Sequence, residues 1–141
     1  MIEKAKENDL EEIYTLINIL EQKTINKDHF IKVYHKGIES DDIEFLVYRK
    51  DGKILGFLSF YIHHYLHHDE DTGEIVELVV MPEYRGLRIG QHLIETIEEM
   101  AKEKGLEQIE LSTSTYRKKA HHFYEAHGYV KDHYNYTKNL K

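Results

Sequence analysis

Glu77-Leu78-Val79-Val80-Met81-Pro82-Glu83-Tyr84-Arg85-Gly86-Leu87-Arg88-Ile89-Gly90 is the stretch that decides how this chain is read. The apolar run before Pro82 has the pattern of a buried strand, and Pro82 ends it. A short basic turn with two glycines follows, and an amphipathic segment begins at once. Strand, glycine turn and helix in that order build an anion site, because first-turn N–H groups lack partners and the helix dipole favours negative charge. Gly86 and Gly90 have no Cβ and let the backbone approach a diphosphate, while Arg85 and Arg88 add charge. The same residues also fit an ordinary strand-to-helix turn with two solvated arginines, and a short glycine pattern alone does not choose.

Working outward, Ile89, Leu93, Ile97, Met100 and Ala101 share one face of a helix expected over Ile89 to Lys104, with Gly105 at its C-terminal cap. Upstream, Asp9-Leu10-Glu11-Glu12 reads as a capping box opening a helix with Leu10, Ile13, Tyr14, Ile17 and Leu20 inward. A second helix is expected over Lys27 to Ile38, with Phe30, Val33 and Tyr34 inward. Ile43 to Arg49 and Ile54 to Tyr65 read as strands joined by an Asp51-Gly52 hairpin turn. Residues 69–73 read as a polar loop, and Ile75 to Met81 as the next strand. Downstream come a short strand over Gln108 to Thr113, a helix over Lys118 to His127 stopped by Gly128, and a last strand over Tyr129 to Leu140. The order β-α-α-β-β-β-α-β-α-β predicts an α/β fold: a mixed, mostly antiparallel sheet with helices on both faces.

With 141 residues and neither linker nor repeat, one domain over residues 1–141 is expected. The formal net charge of −7 argues against nucleic-acid binding, which requires a basic face. The chain has no Cys, so disulfides, thiolate metal sites and a cysteine nucleophile are excluded. No apolar run approaches the ~20 residues of a membrane span, and Met1-Ile2-Glu3-Lys4 opens no signal peptide. A cytoplasmic protein is the resulting expectation.

Two segments together resemble the GNAT superfamily of acyl-CoA N-acyltransferases. Arg85 to Gly90 resembles its pyrophosphate motif, which runs Arg or Gln, two residues, Gly, one residue, Gly or Ala; Arg88 stands where the first Gly is expected. Ala120-His121-His122-Phe123-Tyr124-Glu125-Ala126-His127-Gly128-Tyr129 resembles the family's Ala-x-x-Phe-Tyr-x-x-x-Gly-Phe/Tyr segment. The resemblance implies a single GNAT domain and acetyl-CoA as cofactor. It places the cofactor on backbone N–H groups of Leu78, Val79 and Val80 and on Arg85, Gly86, Leu87, Arg88, Ile89 and Gly90. Further contacts fall at Ser114, Ala120 and Tyr124. Tyr124 becomes the acid that protonates the leaving thiolate; standing alone, it would read as a core aromatic. The family's Asn three residues before Ala120 is Arg117 here, so that contact does not carry over.

Acyl transfer to an amine also needs a base. An alkyl amine with pKa near 10.4 is almost wholly protonated at neutral pH, a cost of more than ~4 kcal/mol. Glu77 stands at the strand position where many family members hold a Glu, and it is the candidate base. Glu74 competes, and a solvated strand-end carboxylate is the plain alternative.

Ile62-His63-His64-Tyr65-Leu66-His67-His68 sets four imidazoles within six residues. Such a cluster binds a divalent metal or an anionic group, or is simply a wet strand end. His64-x-x-His67-His68, Gly73 to Pro82 and Leu111-Ser112-Thr113 together resemble one GNAT branch, the bacterial aminoalkylphosphonate N-acetyltransferases. The branch implies a small primary amine bearing a phosphonate as substrate, with Glu74 and Glu77 at the amine and His64, His67 and His68 at the phosphonate. It also implies a divalent metal, whose ligands the sequence leaves open, with His67 and His68 as candidates. Two other readings stay open: a protein or peptide N-acetyltransferase, and a non-catalytic acyl-CoA-binding sensor. Dimers are common in the family, and the tyrosine-rich last strand raises a homodimer as a hypothesis.

Overall fold

A computed structural model describes residues 1–141. Five strands form one sheet in the order of the chain: β1 (Ile2–Lys4), β2 (Ile43–Lys50), β3 (Lys53–His63), β4 (Thr72–Val80) and β5 (Ile109–Leu111). The first four pair antiparallel, and β5 joins β4 in parallel. The β2–β3 turn is tight because Asp51 and Gly52 both take left-handed φ, 52° and 77°.

Helices α1 (Leu10–Glu21) and α2 (Lys27–Glu39) cover one face, where Ile13, Leu16 and Tyr34 pack on Phe45, Val47 and Phe57. Helix α3 (Ile89–Glu103) covers the other face with Ile89, Leu93, Ile94 and Ile97 against Leu46, Leu58 and Ile75. Helix α4 (Lys118–Ala126) lies on the same side, with Phe123 and Tyr124 against that cluster. Burying one Leu or Ile side chain contributes about 1.5–3 kcal/mol, so these two clusters hold the sheet between its helices.

Several local expectations are corrected. Asp9 makes no side-chain cap for α1. It is buried, accepts from the Lys6 N–H, and pairs with Arg49 at 2.8 Å. Glu12 accepts from the Ile54 N–H instead of returning to the cap. A buried ion pair with a guanidinium outcompetes a solvent-facing cap. Val33 points outward, while Phe30 and Tyr34 stack at 5.9 Å beneath the sheet. Thr72 and Gly73 belong to β4 and not to a loop; Gly73 lies directly under the Phe60 ring, where a Cβ would stand 1.9 Å from Cζ.

The expected last strand over Tyr129 to Leu140 does not form: residues 129–141 carry no regular secondary structure. Alternation makes a strand only where an edge accepts its backbone hydrogen bonds, and β5, three residues long, offers too little edge.

Candidate active site

The site begins where β4 and β5 part. They pair only at Gly73↔Ile109, Glu74↔Glu110 and Ile75↔Leu111. Beyond Ile75, β4 carries a bulge: Phe60 faces Ile75 and Ser59 faces Glu77, so Val76 has no partner on β3. The outer edge of β4 is free from there to Val80. The Met81 N–H donates to Leu55 O on β3, and the alternation of a strand then turns the N–H groups of Leu78 and Val80 toward the free edge. Val79 points its side chain into the core and its N–H toward β3.

A cleft of about 130 Å³ fills the gap. Leu20 and Glu21 at the end of α1 form one wall, Val76 and Leu78 the floor. Ser112, Thr113, Ser114 and Arg117, between β5 and α4, form the opposite wall with Tyr124. Thr113 Oγ1 is buried there without a hydrogen-bond partner, an acceptor and donor left for a ligand.

Tyr124 is held by its neighbours: its ring meets Phe123 at 5.4 Å and Tyr129 at 6.1 Å, both edge-on. Burial raises its pKa, partly offset by Arg117, so it remains a neutral O–H donor. Tyr14, Tyr34 and Tyr129 donate their hydroxyls within the chain, whereas Tyr124 keeps its own free.

Glu77 lies beside the cleft and not on its wall. Its neighbour is Ser59, a buried polar residue in the apolar run Phe57-Leu58-Ser59-Phe60. The Ser59 hydroxyl donates to the Glu77 carboxylate and accepts from the Glu77 N–H at 2.9 Å. Burial pushes the Glu77 pKa up; Ser59 opposes that, and Glu21 and Glu74 add to it. A carboxyl tuned upward in this way is suited to take a proton near neutral pH. Sequence reading missed Ser59 and Glu21. Ser59 had a signal, one hydroxyl within a run of buried apolar residues; Glu21 had none, because only the fold brings the end of α1 to β4.

The anion turn is exposed at Arg85, Gly86, Leu87 and Arg88, and Ile89 anchors it in the core. Gly86 takes φ 86° and Arg88 takes φ 64°, so the expected glycine position is a left-handed one that arginine fills here. Arg85 Nε donates to Val80 O at 3.2 Å, which fixes the guanidinium beside the end of β4. Gly90 sits in the first turn of α3, in ordinary contact distance of Phe123 and Val80. Ala120 lies in the first turn of α4.

The histidines do not converge as expected. His64 is exposed and bridges Asp71 at 2.8 Å and Asp42 at 3.0 Å, and these carboxylates raise its pKa. His68 bonds Glu107 at 2.8 Å and lowers the pKa of that carboxyl. The His67 ring lies 4.5 Å from that of His68, tilted at 46°. His64 and His68 are drawn to different carboxylates, and neither His67 nor His68 belongs to the group of side chains whose ligand atoms lie within 4.8 Å of one another.

Residues 7–129 match the model of the Acetyltransferase (GNAT) family. The aminoalkylphosphonate N-acetyltransferase of Salmonella typhimurium is 34% identical over 136 residues, covering 96% of this chain and 88% of its own length. Among solved structures, a protein described as a transcriptional regulator from Bacillus halodurans C-125 superposes with a TM-score of 0.92 at 24% identity, covering 99% of each chain. The aminoglycoside 6'-N-acetyltransferase of Acinetobacter haemolyticus superposes with a TM-score of 0.83 at 16% identity, covering 100% of this chain and 99% of its own. The chain belongs to the GNAT family of acetyltransferases, enzymes that take their acetyl group from acetyl-CoA. No helix is long and apolar enough to cross a membrane.

Proposed function

We propose that this acetyltransferase modifies a small primary amine that carries a phosphonate, by direct attack on acetyl-CoA. Backbone N–H groups of Leu78 and Val80 hold the pantetheine arm along the free edge of β4. The first turn of α3, with Arg85 and Arg88, holds the pyrophosphate. Glu77 takes a proton from the ammonium, directly or through water. The freed nitrogen attacks the thioester carbon; the C–N bond forms and the C–S bond breaks. Tyr124 gives its proton to the departing thiolate, and the proton shed by the new amide nitrogen restores the tyrosine.

The observation that carries the mechanism is the pairing of Glu77 with Ser59 at the point where β4 loses its outer partner. It supports the reading by setting a carboxyl with a raised pKa beside the stretch of β4 edge that lies free along the cleft. Support for the acceptor is the extent of the likeness to the Salmonella protein, together with an acidic neighbourhood of Glu21, Glu74 and Glu77 suited to an ammonium. Free Tyr124 and tuned Glu77 favour this reading over a sensor that only binds acyl-CoA.

CoA release from acetyl-CoA, followed with a thiol reagent, tests the reading across aminoalkylphosphonates, polyamines and peptides. The protein has no Cys and adds no background. Turnover selective for aminophosphonates is expected. Selective turnover of peptides, or acetyl-CoA binding without turnover of any amine, overturns the acceptor.

A further inference from the structure

Glu21 and Arg117 stand on opposite walls of the cleft, and neither forms an ion pair. Of the four arginines, Arg49 is taken by Glu3 and Asp9, and Arg85 and Arg88 flank the start of α3. Arg117 is left over, and it is the one cationic side chain on the cleft wall. Its charge reaches Tyr124 on the same wall, and the charge of Glu21 reaches Glu77. The cleft is therefore positive along one side and negative along the other.

Thr113 adds an observation independent of charge. Its Oγ1 is buried and makes no hydrogen bond within the chain. A buried hydroxyl is costly to leave unpaired, so its place on the cleft wall points to a partner that enters from outside. Ser112 and Ser114 flank it on the same wall, and the acetyl-transfer steps use neither Ser112 nor Thr113. The segment that carries Arg117 is fixed beside them. The Arg117 N–H donates to Ser114 O at 3.0 Å, and the His121 ring donates to the same oxygen at 2.8 Å. That tie sets Arg117 at the N-cap of α4, whose first turn holds no acidic residue and no side-chain cap. Guanidinium, hydroxyl and open helix start all favour an oxyanion.

We propose that Arg117 and Thr113 form an oxyanion subsite, and that the acceptor spans the cleft as a zwitterion. Its ammonium faces Glu21 and Glu77, and its anionic group rests on Arg117 and Thr113. The guanidinium offers two parallel N–H donors to a tetrahedral or planar oxyanion, and the Thr113 hydroxyl offers a third donor. An amine without the anion leaves these donors unpaired and is discriminated against for that reason. This gives the anionic group a place away from the histidines, of which His64 and His68 are held by Asp71 and Glu107. A phosphonate as the anion rests on the proposed acceptor; the subsite itself does not.

The test compares CoA release with aminomethylphosphonate and with ethylamine, a primary amine without the anion, and reads the ratio of their kcat/KM values. Arg117→Gln lowers that ratio about tenfold to a hundredfold, and Thr113→Val about tenfold, as expected for hydrogen bonds to a charged group. Acetyl-CoA binds both variants as it binds the parent, because the pyrophosphate lies at the start of α3. Neither variant melts lower than the parent: Arg117 is exposed, and Thr113 Oγ1 has no partner in the chain to lose. Methylphosphonate, which has no amine, binds the acetyl-CoA complex of the parent and not that of Arg117→Gln. A ratio untouched by both substitutions overturns the subsite. So does weaker acetyl-CoA binding with the ratio unchanged, which gives Arg117 to the cofactor. A preference for succinyl-CoA over acetyl-CoA that Arg117→Gln abolishes puts the anion on the donor and overturns its assignment to the acceptor. No aminophosphonate turnover, with methylphosphonate bound by the parent and lost in Arg117→Gln, keeps the subsite and overturns the proposed acceptor. Selective aminophosphonate turnover with the ratio untouched does the reverse.

Discussion

The Ser59 hydroxyl closes a small ring on Glu77: it accepts from that residue's N–H at 2.9 Å and donates to its carboxylate. The ring fixes where the carboxylate points and favours its charged form, against the burial that penalises charge. Ser59→Ala removes both. Turnover should fall about tenfold, the value of one hydrogen bond to a charged group. The acidic limb of the pH–rate profile should move to higher pH, because the Ser59 bond is the influence that lowers the Glu77 pKa. An unshifted limb would show that the titrating base is another group.

Glu77→Gln tests the base itself. The folded-state pKa of Glu77 lies above its unfolded value, so folding favours the protonated form. That contribution to stability is complete below the unfolded pKa and is lost as pH rises through the folded one. Above the folded-state pKa the carboxylate is therefore held charged at some expense in stability. Glu77→Gln should melt higher than the parent at pH 7, and the gain should vanish in acid. Turnover should drop by about 10²–10⁴ while acetyl-CoA affinity stays the same. Loss of acetyl-CoA binding would refute the assignment.

Much of this was legible because local rules and global packing agree. The heptad-like faces of α1 and α3, the Asp51-Gly52 turn and the stop at Pro82 all follow from spacing and turn chemistry. The turn from Arg85 to Gly90 and the segment around Tyr124 were recognisable as motifs. What stayed hidden depends on register. The β4 bulge at Val76 decides that Glu77 faces Ser59, and the three-residue β4–β5 ladder decides that Glu110 faces Glu74. Neither is written in periodicity. The histidine cluster shows a related limit: adjacency in sequence is not convergence in space, and Asp71 and Glu107 pair with His64 and His68.

Arg88 occupies a left-handed position, φ 64°, at the N-cap of α3. A residue with a Cβ pays roughly 1 kcal/mol there. Arg88→Gly should therefore stabilise the chain by about 0.5–1 kcal/mol in denaturant titration. If the guanidinium meets the pyrophosphate, the same substitution should weaken acetyl-CoA about threefold to tenfold at low salt and flatten the salt dependence. Higher stability with unchanged affinity would leave Arg88 as a strained solvent residue only.

Tyr124→Phe separates acid catalysis from packing. The ring contacts with Phe123 and Tyr129 do not use the hydroxyl, so melting should be unchanged. Turnover should fall by about 10² if the phenol protonates the thiolate. An acetyl donor with a more acidic thiol should recover most of that loss, because its thiolate needs no proton to depart. Equal loss with both donors would assign Tyr124 to positioning.

Val130, Tyr134, Tyr136 and Leu140 are 79%, 92%, 90% and 90% exposed on a tail without regular structure. Four large side chains at alternating positions, three of them nearly bare, are more apolar surface than a solvated tail requires. A second copy that covers these side chains would bury them, which is the arrangement a homodimer predicts. Light scattering should give about twice the 16.9 kDa chain mass. Tyr134→Glu with Tyr136→Glu should return the protein to monomer without lowering its helix content, because no helix or strand rests on these residues. A monomeric parent would show instead that the tail is solvated as it stands.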